Sequence, residues 1–79
     1  MTHIVRRLGV APRFRGSVSG AACPDLFELA DGNFAVIGTD VTDSLETQLP
    51  ADASRADHER IVVITRETLI RAKVDIPDA

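Results

Sequence analysis

Leu26-Phe27-Glu28-Leu29-Ala30, then Asp31-Gly32-Asn33, then Phe34-Ala35-Val36-Ile37-Gly38-Thr39-Asp40 run without a break in this chain. Two apolar runs separated by a short glycine-containing segment predict a β-hairpin, with Gly32 or Asn33 taking the positive φ of the turn. Alternation in the first run directs Phe27 and Leu29 to a core and Glu28 to solvent. The second run is apolar at consecutive positions as far as Gly38, which predicts a central strand covered on both faces.

Beyond the hairpin the period changes. Thr42 or Asp43 can cap a short helix, Asp43 and Glu46 have the spacing of a capping box, Leu45 and Leu49 lie one turn apart, and Pro50 ends the run. A polar loop follows over residues 51–59. Arg60-Ile61-Val62-Val63-Ile64 is rich in β-branched side chains and reads as a buried strand. The next segment supports two readings. Thr65 can cap a helix over Arg66 to Lys73 with Leu69, Ile70 and Ala72 inward, whereas Ile70, Ala72, Val74 and Ile76 also alternate with polar residues as a strand would. The helix is favoured, because Thr65 gives it a defined start and no turn-forming residue separates it from the preceding strand. The expected order is β-β-α-β-α, an α+β domain with a small antiparallel sheet over residues 23–79.

Residues 1–22 show no sustained period and read as a flexible basic arm, with small residues Gly16 to Ala22 before the boundary. Ile4, Val5 and Leu8 can form a strand or helical turn only with support from elsewhere. Charge is segregated along the chain. From Met1 to Cys23 the charged residues are Arg6, Arg7, Arg13 and Arg15 without a carboxylate, whereas from Pro24 to Leu49 they are Asp25, Glu28, Asp31, Asp40, Asp43 and Glu46 without a base. Such segregation points to recognition of a charged partner or of another copy more readily than to chemistry. The four arginines are therefore the candidate partner-binding residues. They can meet nucleic-acid phosphate, an acidic protein, or the acidic surface of the same or a neighbouring subunit; the plainer reading is a solvated tail.

No catalytic, metal or cofactor set accompanies them. Asp40 and Asp43 lack the spacing of a calcium loop and read as turn and cap residues. His3 and His58 have no nucleophile or proton donor placed beside them by the sequence pattern. Cys23, the one cysteine, excludes an internal disulfide, fits a reducing cytoplasm and reads as a packed small side chain. Gly32 to Gly38 spans a hairpin and does not open a helix as a phosphate loop would. No run is long enough to span a membrane, and no signal-peptide core is evident at the start. With 79 residues and a net charge of −3, the chain has a thin margin of stability and little basis for wrapping nucleic acid along its whole length. A homodimer is expected as a means of burying more apolar surface.

The Cys23-Pro24-Asp25-Leu26-Phe27-Glu28-Leu29-Ala30 segment, the strand Phe34-Ala35-Val36-Ile37-Gly38-Thr39-Asp40 and the run Ile61-Val62-Val63-Ile64-Thr65-Arg66-Glu67-Thr68-Leu69 resemble small uncharacterised actinobacterial proteins often encoded beside helix-turn-helix regulators. The resemblance implies a regulatory interaction role with no catalytic residues. Taken together, these readings lead to a non-catalytic interaction module; the alternative is a small dimer that binds nucleic acid through its arginine arm.

Overall fold

A computed structural model describes residues 2–11 and 24–78. The elements are β1 (Ile4–Arg7), β2 (Asp25–Leu29), β3 (Phe34–Ile37), β4 (Thr39–Asp40), α1 (Thr42–Leu45), β5 (Val62–Val63) and α2 (Arg66–Ala72); single 3-10 turns extend α1 over Glu46–Gln48 and α2 over Lys73–Asp75. The fold is α+β. A three-stranded antiparallel sheet is ordered β1-β2-β3, and β4 pairs with β5 in a separate two-stranded ladder.

The hairpin forms where the sequence places it. Glu28 pairs with Phe34 and Asp25 with Ile37, and Gly32 takes φ +91° at the turn. Leu29 donates to the Asn33 carbonyl at 2.9 Å, while Asp31 Oδ1 accepts from Asn33 N at 3.0 Å. The strand roles differ from expectation. β2, with a neighbour on each side, is the central strand, and β3 is an edge with Phe34, Val36 and Ile37 exposed. An apolar run on an edge strand meets the same local rules as one at the centre, so its composition alone does not separate the two cases.

The missing neighbour comes from the segment expected to be an arm. Ile4–Arg7 pairs antiparallel with β2, placing Ile4 opposite Leu29 and Arg7 opposite Phe27, with a bulge between Ile4 and Arg6. Leu8 N then donates to the Leu26 carbonyl at 2.9 Å. Short apolar pairs that cannot sustain a strand alone do so here because β2 supplies the hydrogen-bonding edge. The flexible-arm assignment is therefore wrong for residues 4–8. Its remainder over residues 12–22, including Arg13 and Arg15, and the boundary at Cys23 lie outside the described residues.

Paired residues share a face of the sheet, and faces alternate along each strand. One face carries Arg6, Leu26, Glu28, Phe34 and Val36; the other carries Ile4, Arg7, Asp25, Phe27, Leu29, Ala35 and Ile37. α2 packs on the first. Leu8, Leu26 and Ala72 are its buried hydrophobic residues, with Ile64 packed against them. The inward face of β2 is thus that of Leu26, not that of Phe27 and Leu29. Thr65 does cap α2, its Oγ1 accepting from Thr68 N at 3.1 Å. That cap resolves the helix–strand ambiguity in favour of helix, through Ala72. Thr68 and Ala72, four residues apart, are the buried positions, while Leu69 and Ile70 are exposed and not inward.

Two further expectations change. The capping box at α1 does not form: Val41 occupies the cap position without a side-chain bond. Instead Asp40 Oδ1 accepts from Thr42 N at 3.0 Å and from Thr42 Oγ1 at 2.7 Å, and Thr42 Oγ1 accepts from Ile61 N at 2.8 Å. This chain of bonds uses Asp40 and Thr42 to tie β4 and α1 to the residue before β5. The run Arg60–Ile64 is a strand only at Val62–Val63, and both residues are exposed. Among the described residues β5 pairs only with β4, and the backbone passes so close to Gly38 that a Cβ there would lie 2.6 Å from the Val63 carbonyl oxygen.

Candidate interaction surface

Arg6 and Arg7, the first two candidate partner-binding residues, stand on opposite faces of β1 and are already engaged within the chain. Arg6 Nε lies 2.7 Å from Glu28 Oε1, and its guanidinium donates to the Asp75 carbonyl at 2.6 Å. Arg7 contacts both carboxylate oxygens of Asp25 at 3.0 to 3.1 Å and lies over the Phe27 ring, 5.3 Å from its centroid. Asp25 is almost completely buried, so Arg7 neutralises a carboxylate that would otherwise be costly to place there. Arg6 and Arg7 therefore meet the acidic segment inside a single chain. Both arginines close the sheet onto itself.

Asp75 completes a clasp between the two ends of the described fold. Its Oδ2 accepts from Gly9 N at 2.7 Å and its Oδ1 is 3.7 Å from the Arg6 guanidinium. Gly9 has φ +81°, and a Cβ there would stand 3.0 Å from the Arg71 backbone. Only glycine gives the chain after β1 both the left-handed conformation and the close approach to α2.

The remaining polar candidates do not converge. Asp40, Thr42, Asp43, Ser44, Arg55 and Arg60 line an open recess of about 530 Å³. Three of its charged groups are spent locally: Asp40 holds Thr42, Arg55 pairs with Glu46 at 2.8 Å, and Arg60 donates to the Asp57 and Glu59 carbonyls. The Thr42 hydroxyl and then its backbone N–H hold the Asp40 carboxyl below the ordinary aspartate range. His58 and His3 are exposed at separate places on the chain. Among the described residues, no three His, Cys, Asp or Glu side chains gather to hold a metal ion. No described helix is long and apolar enough to cross a membrane. Cys23 lies outside the described residues.

What is prominent is apolar surface. Among the described residues, against three buried hydrophobic ones stand Ile4, Val5, Phe34, Val36, Ile37, Val62, Val63, Leu69, Ile70, Val74 and Ile76, each exposed, Val74 at 87%. Apart from Val5, at the β1 bulge, those on the three-stranded sheet form two groups. Phe34 and Val36 lie on the helix-bearing face at the β3 side, while Ile4 and Ile37 flank Phe27, Leu29 and Ala35 on the opposite face. Sequence reading missed this surface because β-branched and aromatic runs carry the same signature whether a fold buries them internally or presents them. Comparison with protein-family models, curated proteins and solved structures finds no match to this chain.

Proposed function

We propose that this chain is a small, non-catalytic, regulatory protein-interaction module whose working surface is apolar. The observation that carries the reading is the imbalance between the small buried core and the large hydrophobic side chains left accessible on the sheet and α2. Scattered exposed hydrophobic residues are ordinary, but contiguous ones mark surfaces that another macromolecule covers. Phe34 and Val36 are neighbours on one face of β3, while Ile4 and Ile37 extend the apolar surface of Phe27, Leu29 and Ala35 on the other. The resemblance to proteins encoded beside helix-turn-helix regulators supports a transcription regulator as one class of partner. The single cysteine fits action in a reducing cytoplasm.

Nucleic-acid binding through an arginine arm is the alternative. Arg6 and Arg7 support it poorly, because phosphate would have to displace carboxylates already seated at hydrogen-bond distance. Arg13 and Arg15 are the residues left to carry it.

The two readings separate in one set of captures from the native host. Wild-type protein should retain a protein partner, Ile37→Asp and Leu69→Asp should weaken that capture, and Arg13→Gln/Arg15→Gln should leave it largely unchanged. Wild type should not retard DNA or RNA at low salt. Retardation that falls steeply with added salt and disappears in the double arginine variant would replace this reading with the nucleic-acid one.

A further inference from the structure

The two edges of the three-stranded sheet are unlike. β1 carries devices that discourage a further strand: a bulge between Ile4 and Arg6, and two consecutive arginines. β3 carries none. Its sequence is Phe34-Ala35-Val36-Ile37, with no charge, no proline and regular pairing to β2 along its whole length. Phe34, Val36 and Ile37 are 45 to 54% exposed on an edge with no further strand among the described residues. An unprotected, uncharged edge is a template for strand addition.

We propose that the β3 edge is occupied by β3 of a second copy, joining two sheets into one antiparallel sheet of six strands about a two-fold axis. This rests on the reading of the apolar surface as an interface and adds the identity of its occupant.

The occupant follows from the edge's own chemistry. An uncharged apolar edge is best matched by an uncharged apolar strand, and Phe34–Ile37 itself is such a strand. Two-fold antiparallel pairing keeps corresponding faces of both sheets together only when a residue stands opposite its own mate. In β3 that residue is Ala35 or Val36. Centring on Ala35 places Phe34 opposite Val36 of the second copy, Asp31 opposite Thr39 and Asp40 opposite Ala30. Centring on Val36 places Phe34 opposite Gly38, Asp31 opposite Val41 and Asp40 opposite Gly32. Neither register sets one carboxylate directly against another, so no like-charge opposition resists pairing. Either one brings Phe34 and Val36 of both copies together on the face that carries α2, and Ala35 and Ile37 together on the other. The paired strands are short, so the interface falls at the small end of the specific range and the dimer should be a micromolar one.

Sedimentation of the full chain across low to high micromolar concentration tests this directly. Wild type should shift from the 8.5 kDa monomer to a species of twice that mass. Val36→Lys should raise the dissociation constant by about tenfold or more, because it places a lysine on the edge, while Val74→Lys should leave it unchanged. Circular dichroism and a cooperative thermal transition establish that each variant is folded. A cross-link identifies the edge independently of that charge. In a Cys23→Ser background, Ala35→Cys or Val36→Cys should form an intermolecular disulfide on mild oxidation and Val74→Cys should not, since facing residues of paired strands lie within disulfide reach. A monomer at every concentration would overturn the proposal and leave the interaction reading to be judged by its own captures. A dimer that tolerates Val36→Lys and forms neither cross-link would overturn it as well.

Discussion

Gly9 and Gly32 both have positive φ, but for different reasons, and their replacement should have different costs. At Gly32 a Cβ would meet no atom within 4 Å, so Gly32→Ala bears only the backbone penalty, about 1 kcal/mol. At Gly9 the same penalty is joined by collision with the Arg71 backbone, which cannot move without shifting α2. Gly9→Ala should therefore lower stability by about 2 to 3 kcal/mol. Denaturant midpoints of the two variants give the comparison, and equal losses would show that α2 does not bear on Gly9. Asp40 offers a test with pH. Hydrogen bonds from Thr42, the hydroxyl first, favour its charged form in the folded chain and lower its pKa. The resulting stabilisation is complete above the ordinary aspartate pKa of about 3.9 and is lost as pH falls through the lower folded value. Asp40→Asn should thus be less stable than wild type at neutral pH, and the difference should shrink on acidification below about pH 4. A gap that stays constant from pH 7 to pH 3 would remove the charged Asp40–Thr42 bond as its cause.

At the scale of the element, β2 and β5, both read from the sequence as strands, have different weights. β2 sits between two partners and delivers Leu26 to the core, whereas β5 is two residues long, pairs only with β4 among the described residues and exposes both valines. A charge introduced on β5 remains in water. Val63→Asp should keep a cooperative thermal transition and lose about 1 kcal/mol or less, mainly through β-propensity. Leu26→Asp should abolish that transition, because it buries an unpaired carboxylate beside Leu8 and Ala72. Comparable melting of both variants would mean that β5 carries more of the core than its exposure indicates. α2 owes its position to a local signal and its inward face to a tertiary one. The Thr65 hydroxyl fixes where the helix starts, while contact with β2 turns Thr68 and Ala72 inward and leaves Leu69 and Ile70 exposed.

Across the whole molecule, the N-terminal segment is structural. β1 supplies one neighbour of the central strand, Leu8 supplies part of the core, and Arg6 and Gly9 reach Asp75 near the other end of the fold. Deleting residues 1–8 would expose the β2 edge, open the pocket around Leu26 and leave Asp25 without Arg7. That variant should lose its cooperative transition, since a domain of this size holds only about 5 kcal/mol against unfolding. A truncated chain that melts as wild type does would restore the view of these residues as a dispensable arm. The same clasp gives the uneven charge along the chain an intramolecular use: Arg6 and Arg7 meet Glu28 and Asp25 when the strands pair.

The hairpin, its glycine turn and the capped C-terminal helix were determined by the sequence alone, because each depends on contacts within a few residues: a positive φ at Gly32, paired apolar runs, a Thr65 hydroxyl three positions before Thr68. The α+β class followed from those local elements. Tertiary structure decided everything that required a neighbour distant in sequence. It made Ile4–Arg7 a strand by giving it the edge of β2, assigned the centre of the sheet to β2 and the edge to β3, and turned Leu26 inward in place of Phe27 and Leu29. It also committed Arg6 and Arg7 to carboxylates about twenty residues away and left β3 and α2 with accessible hydrophobic residues. Alternation and propensity describe how a strand's side chains divide between two faces; which face is covered depends on what packs against it, and that information lies elsewhere in the chain.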